Sequence, residues 1–501
     1  MKETHMDRGA GILLPVSSLP SPYGIGTLGK DAYEFIDFLK QAGQKYWQVL
    51  PLGPTSFGDS PYQSLSAFAG NPYFIDLDML IEAGLLSRDE VTHQNWGDNP
   101  TSVSYDVIYE NRFRVLKSAY HNSRHKETAE YRKFVKENSY WLEDYCMYMA
   151  LKFHFHGADW LHWPDDEIRL RKPEAMKQYR ELLADEIEFW AFCQFEFYSQ
   201  WAKLRAYAKE KEIQIIGDIP IYAAMDSSDV WGHPGLFQLD EENLMPKFIA
   251  GVPPDAFSAT GQLWGNPLYD WDAMENEDFC WWRERIGISG RLYDAVRIDH
   301  FIGITRYYAV PWGEKTSVNG TYQPGPGKKL TDVINEAAGE SLQIIAEDLG
   351  TVTPEVRKLL KDNEYPGMKV LAFGFDGDPA NEHLPHNFKD SNCVVYGGTH
   401  DNETLTGLFC DKSDEVLTYL FELIDTRERH RIVDHLFRLA YGSIADVVIF
   451  QAQDVLKLDN SARMNFPSTT GNNWRWRLWK GQLNWQQAGW LGFLVHVYHR
   501  Y

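Results

Sequence analysis

The stretch Ala295-Val-Arg-Ile-Asp-His300 sets a short, β-branched apolar run directly against charged side chains. A run this short and continuous fits a strand buried on both faces of a parallel sheet, not a half-exposed strand with alternating residues. Seven further runs of this kind recur: Gly11-Ile-Leu-Leu-Pro-Val16, Tyr46-Trp-Gln-Val-Leu50, Ile213-Gln-Ile-Ile-Gly217, Gln343-Ile-Ile-Ala346, Lys369-Val-Leu-Ala-Phe373, Cys393-Val-Val-Tyr396 and Val447-Val-Ile-Phe450. Helical patterns lie between several of them. One covers 31–42 and stops at Gly43, and a longer one covers 179–211. A third, 353–360, opens with Thr353 at the N-cap and Pro354 at the first helical position. Strands alternating with helices predict an α/β chain folded as a (β/α)8 TIM barrel.

The spacing of the strands is uneven. A mainly helical insertion, 52–212, rich in charged and aromatic residues, separates the second and third strands. A second insertion, 219–293, is rich in Pro, Gly, Asp and Trp and is expected as long loops between the third and fourth. One barrel chain spanning 1–501 accommodates both, and no internal repeat or low-complexity segment interrupts it.

Apolar residues make up 44% of the chain and charged residues 24%, which is globular composition and argues against disorder. The formal net charge of −22 disfavours nucleic acid and anionic membranes as partners and favours a neutral substrate. The cysteines at 146, 193, 280, 393 and 410 are odd in number and lack CxxC spacing. Reduced thiols are therefore expected, with neither a disulfide framework nor a zinc site. No apolar run approaches the ~18 residues of a membrane span, and residues 1–8 lack the apolar core of a signal peptide. These features predict a cytoplasmic protein, or a plastid stromal one if a transit peptide has been removed.

Four of the runs end in acids: Gly217-Asp218, Arg297-Ile-Asp299-His300, Ala346-Glu347-Asp348 and Thr399-His400-Asp401. The C-terminal strand ends of a β/α barrel surround one pocket, so acids distant in sequence converge there. A single strand-end Asp is commonly a helix cap, and Arg297 with Asp299 alone is compatible with a structural ion pair. Four such ends with Arg and His beside them point to a shared acidic site. Glycoside chemistry needs such a site, because breaking an acetal builds oxocarbenium charge: one carboxylate attacks or stabilises while a carboxylic acid protonates the leaving oxygen. Arg297 lies two residues before Asp299, hence on the same side of the strand, where its guanidinium favours an ionised nucleophile. Glu347 is then the proton donor, its pKa raised by neighbouring carboxylates. Asp401, with His400, is placed to bind sugar hydroxyls and favour a distorted ring.

Together with an ordered set of further motifs, these residues resemble glycoside hydrolase family 77, the 4-α-glucanotransferases related to the α-amylases. The resemblance runs through Leu14-Pro-Val-Ser-Ser-Leu-Pro20, Ser60-Pro-Tyr-Gln63, Ser66-Ala-Phe-Ala-Gly-Asn-Pro-Tyr73 and Gly217-Asp-Ile-Pro-Ile-Tyr222. It continues through Val252-Pro-Pro-Asp-Ala-Phe-Ser258, Trp264-Gly-Asn-Pro-Leu-Tyr269, Ala346-Glu-Asp-Leu-Gly350, Gly398-Thr-His-Asp-Asn402 and Arg463-Met-Asn-Phe-Pro467. The resemblance implies Asp299 as nucleophile, Glu347 as acid/base and Asp401 as transition-state stabiliser. It further implies Tyr62, Asp218, Arg297 and His400 as supporting or donor-sugar residues. It places Asp255 and Phe257 on a mobile acceptor-side loop, about 251–265, with Ala256 where some members carry a tyrosine. The activity implied is retaining transfer of α-1,4-glucan segments from maltooligosaccharide or starch to the 4-hydroxyl of a glucan or glucose, with no cofactor and no metal. Hydrolysis by the same carboxylates, or glucan binding without catalysis, are the alternatives. Oligomeric state and protein partners are not readable from the chain.

Three other signals are set aside. Gly24-Ile-Gly-Thr-Leu-Gly29 matches GxGxxG, but no ribose-binding acid ends the next strand, so it reads as a tight turn before a helix. The sequons at Asn319 and Asn402 are not expected to be modified in a reduced compartment. Gly327-Lys-Lys329 reads as a solvated loop.

Overall fold

The computed structural model of the protein describes residues 6–254 and 258–501. Its strands, in chain order, are β1 (Gly9–Leu13), β2 (Tyr46–Gln48), β3 (Gln214–Ile219), β4 (Phe248–Val252), β5 (Gln262–Pro267) and β6 (Ala295–Ile298). They continue with β7 (Arg306–Pro311), β8 (Thr321–Pro324), β9 (Gln343–Ala346), β10 (Gly367–Val370), β11 (Cys393–Tyr396) and β12 (Val447–Gln451). Eight of them form one sheet in the order β10-β11-β12-β1-β2-β3-β6-β9, with every pairing parallel. At the seam between β9 and β10, Ala346 N–H donates to Pro366 O at 3.0 Å. Nearby, Met368 N–H donates to the Asp348 carboxylate at 2.7 Å. The sheet is thus a nearly closed (β/α)8 barrel.

Alternation along each strand divides the core in two. Val447 and Ile449 of β12, and Val394 and Tyr396 of β11, join Leu13, Tyr46, Ile216 and Ile345 in the lumen. Their neighbours Val448, Phe450 and Val395 pack outward under the helices. This period of two within continuous apolar runs explains why both faces are buried. Gly11 is required at its place: a Cβ there would lie 2.5 Å from Tyr46 Cβ and 2.9 Å from Ile449 Cδ1. The missing side chain leaves the lumen to the Tyr46 ring.

Three strands end earlier than their apolar runs, β2 stopping at Gln48 instead of Leu50. β1 covers Gly9–Leu13 instead of 11–16, and Val16–Ser18 forms a 3-10 turn after Pro15, which has no N–H for a ladder. β10 covers Gly367–Val370 instead of 369–373, and Leu371–Phe373 is again a 3-10 turn. Leu371 is fully buried in that turn. Apolarity marks burial there, not strand pairing.

Between β2 and β3 stand eight α-helices, the longest being Ala184–Glu210. The 179–211 pattern is broken at Leu183, which separates Pro173–Leu182 from that helix. The amides of Gln194 and Gln200 each clasp a backbone position of the preceding loop, Gly70 and Asp76, through both oxygen and nitrogen. At Gly70 a Cβ would lie 1.9 Å from the Phe197 ring, so only glycine lets the loop approach this helix so closely. That clasp fixes the loop that carries Tyr62.

Segment 219–293, expected as loops, holds β4, β5 and the helices Ser228–Gly232, Trp271–Asn276 and Cys280–Leu292. β4 and β5 pair antiparallel and join β7 and β8 in a second sheet, ordered β5-β4-β7-β8. The register of β4 and β5 shifts between Ile249 and Gly251. With Trp-Gly-Asn-Pro inside β5, no clean alternation marks either strand in the sequence. The helix expected at 353–360 spans Pro354–Asn363 with Thr353 at its N-cap, but without a side-chain capping bond. The GxGxxG stretch is a turn, with Gly24 at φ 77° and Gly29 capping helix Lys30–Gln41. Cys146, Cys193, Cys280 and Cys393 are free thiols. Among the described residues no helix is long and apolar enough to cross a membrane.

Candidate active site

Register aligns the strand ends. Asp218 on β3 stands opposite Arg297 on β6, and Ile298 stands opposite Ala346 on β9. Asp299 and Glu347 therefore leave neighbouring strands at the same level. Backbone bonds extend the ladder past that point: Asp299 N–H to Ile219 O at 2.9 Å, Glu347 N–H to Ile298 O at 3.1 Å and Phe301 N–H to Glu347 O at 3.0 Å. Adjacent strands run about 4.8 Å apart, so the two carboxylates start side by side.

Arg297 sits between the acids with its side chain 5% exposed. One terminal nitrogen donates to both oxygens of Asp218 at 2.8 Å, and the other donates to Asp299 Oδ1 at 2.7 Å. Its Nε faces Met368 Sδ at 3.3 Å, across the lumen. Burial works against the guanidinium charge, but Asp218 and Asp299 more than offset it and hold Arg297 well above the usual arginine range. The planar fork serves both carboxylates at fixed angles, which an ammonium cannot do.

Glu347 is treated differently. Its oxygens accept from His300 N–H at 2.6 Å and Leu349 N–H at 2.7 Å. Burial, then the charge of Asp299, push its pKa up to about 8, against the opposing pull of Arg297 and those two N–H groups. The carboxyl is therefore protonated at neutral pH. Beside it lies a salt-bridged carboxylate, Asp299, with a side chain 30% exposed. His300 adopts φ 52°, a left-handed conformation that aims its N–H at Glu347. Its ring lies edge-on to Trp264 at 4.8 Å, and burial brings its pKa down to about 4.

Asp401 follows β11 and is the most open of the three acids, with a side chain 46% exposed. Asn465 donates to its Oδ1 at 2.6 Å, and Arg463 donates to its main-chain oxygen at 2.7 Å. His400 lies beside it, with Nε2 3.5 Å from Asp401 Oδ2. Tyr62 closes this wall. Its hydroxyl donates to Asp218 Oδ2 at 2.8 Å, which leaves the hydroxyl oxygen to accept from His400 Nδ1 at 3.3 Å. That network puts a proton on Nδ1, and Nε2 faces the Asp401 carboxylate. The Tyr62 and His400 rings stack at 4.9 Å with 20° between planes.

The structure brings Tyr62, Asp218, Arg297, Asp299, Glu347, His400 and Asp401 together. Asp255 and Phe257 lie outside the described residues. Asn465, Arg463 and the backbone of His300 have no role assigned from the sequence, although Arg463-Met-Asn-Phe-Pro467 is one of the motifs quoted above. Their parts depend on hydrogen bonds to Asp401 and Glu347, which residue type alone does not reveal. Among the described residues no group of His, Cys, Asp and Glu is arranged to hold a metal ion.

A family model described as 4-alpha-glucanotransferase, glycoside hydrolase family 77, matches residues 14–482. The chain belongs to glycoside hydrolase family 77. Within the family it is 48% identical to a 4-alpha-glucanotransferase of Clostridium butyricum, over 97% of this chain and 99% of that one. A 4-alpha-glucanotransferase of Streptococcus pneumoniae is 45% identical, with 98% and 97% covered. Among solved structures, the amylomaltase from Streptococcus agalactiae in complex with acarbose superposes with a TM-score of 0.95 at 40% identity, covering 98% of this chain and 99% of that one. All the assembled site residues named above fall inside the family 77 match.

Proposed function

We propose that this family 77 protein is a 4-α-glucanotransferase acting on α-1,4-glucans, with Asp299 as nucleophile, Glu347 as acid/base and Asp401 as transition-state stabiliser. The unequal state of the two neighbouring carboxyls carries the reading: Glu347 holds a proton at neutral pH, whereas Asp299 is bonded to a guanidinium. In the first step Asp299 attacks the anomeric carbon as Glu347 protonates the departing glycosidic oxygen, giving a β-glucosyl ester. The proton lost from Glu347 leaves an anion that the His300 and Leu349 N–H groups already face. Glu347 then takes the proton of an incoming 4-hydroxyl as that oxygen displaces Asp299, restoring the α-linkage. Two inversions give retention, and retaining pairs stand about 5–5.5 Å apart, in keeping with carboxylates on adjacent strands.

Asp401, held by Asn465, receives hydroxyls of the donor sugar and favours the flattened ring of the oxocarbenium-like state. Arg297 orients Asp299, and Asp218 orients Arg297. Tyr62 and His400 form the ring-faced wall of the donor subsite, with Nε2 available to a hydroxyl. Asp255 and Phe257 belong to the acceptor side in this reading. That acceptor is sugar, not water, is supported by the names of the relatives. Incubation with maltotriose tests this: glucose plus oligomers longer than maltotriose are expected, and maltose with glucose alone would reject transfer in favour of hydrolysis.

A further inference from the structure

Trp474 has a backbone that its side chain does not favour. Its φ of 64° is left-handed, a region where Cβ crowds the next carbonyl and bulky residues are rare. The chain is pinned into it from both sides. Trp474 N–H donates to Met464 O at 2.7 Å, and the Tyr105 hydroxyl donates to Trp474 O at 2.9 Å. The following residues are tied to the helical insertion and to the first barrel loop. Val103 N–H donates to Arg475 O at 2.8 Å, Arg477 N–H to Thr101 O at 2.9 Å, and Ser18 Oγ to Trp476 O at 2.7 Å.

This conformation drives the buried indole against the two rings of the donor wall. It lies 5.8 Å and 46° from Tyr62, and 5.6 Å and 41° from His400. Tyr62 and His400 spend their mutual polar contact on one edge, through the Tyr62 hydroxyl and Nδ1. A ring packed behind them limits their tilt about that edge. Strained residues persist where the surroundings over-determine them, and they gather at ligand sites. The same segment supplies Asn465 and Arg463 to Asp401. Residues 463–477 therefore brace His400 and Asp401, adjacent in sequence, from two directions.

We infer that Trp474 is a positioning residue for the donor subsite, its strained indole holding the Tyr62–His400 stack so that His400 presents Nε2 to the sugar. The inference rests on the glucan-site reading above, and one experiment separates the two. Acarbose binding is measured by calorimetry for the unaltered protein, Trp474→Leu, His400→Ala, the double variant and Trp474→Phe, with thermal unfolding of each. Binding by the unaltered protein is the test of the site; its failure would overturn the glucan-site reading itself. Given binding, Trp474→Leu should weaken it roughly tenfold, as coupled neighbours do. The same change should have under about a twofold effect once His400 is alanine, because little is left to position. Trp474→Phe, which keeps a ring in place, should recover most of the affinity. An equal loss from Trp474→Leu in both backgrounds, no loss at all, or equal losses from Phe and Leu would each overturn the positioning role. If Trp474→Leu does not fold, Tyr105→Phe replaces it in the cycle. That change removes the bond to Trp474 O and should give a smaller weakening that likewise disappears with His400→Ala; a loss that persists there would reject the inference.

Discussion

At Glu347 burial and the Asp299 charge act together against Arg297 and two N–H donors, and the outcome is a pKa of about 8 against an ordinary 4.5. The sign of the consequence is fixed. Below about pH 4.5 the folded and unfolded chains both hold the proton. Between there and about pH 8 only the folded chain holds it, so stability falls as pH rises, and above about pH 8 the loss levels off. Glu347→Gln cannot ionise and should lack this decline. Unfolding temperatures of both proteins from acid to alkaline pH should therefore shift in favour of the variant through that window; parallel curves would show that Glu347 is not the raised group. Because Asp299 is so close, the apparent value belongs to the pair. A raised Glu347 was legible from the sequence as an acid among acids at a strand end. The burial that dominates the shift was not, since it depends on how deeply β9 ends in the pocket.

At the scale of elements, the eight barrel strands were readable because a strand buried on both faces has no polar alternation to dilute its signal. Their ends were less readable: Leu371 is as apolar and as buried as a strand residue, yet it lies in a 3-10 turn. The second sheet was invisible for the opposite reason. The bulge in β4 and the Gly and Pro of β5 read as turns, and only their pairing with each other and that of β4 with β7 makes them strands. The lumen leads to a prediction at this scale. Gly11→Val would put a Cβ within 2.5 Å of Tyr46 Cβ and 2.4 Å of Tyr46 O, a backbone atom that cannot move without parting β1 from β2. Overpacking of this kind costs about 1–3 kcal/mol or more. Denaturant unfolding should place Gly11→Val at or beyond the upper end of that range. A loss within about 0.5 kcal/mol, typical of a surface change, would mean that the lumen at Gly11 is not close-packed.

Across the whole molecule the site is assembled from segments far apart in the chain. Tyr62 comes from the insertion after β2, Asp218 from β3, Arg297 and Asp299 from β6 and its end, and Glu347 from the residue after β9. His400 and Asp401 follow β11, and Asn465 and Trp474 follow β12. The acids were legible because barrel topology requires strand ends to meet. The braces were not: Asn465 and Trp474 matter through contacts with Asp401, Tyr62 and His400, and no spacing rule connects residues some sixty to four hundred positions apart. The roles of the acids came from family resemblance more than from spacing, and the geometry now supplies a physical reason for the unequal pair. The central claim is a covalent bond to Asp299. It is tested most directly by mass spectrometry of Glu347→Gln protein treated with an α-maltosyl fluoride. Fluoride leaves without help from an acid, while the second step lacks its base. A maltosyl adduct on the peptide containing Asp299 is the predicted result; an unmodified protein that still releases fluoride, or an adduct on another residue, would contradict it.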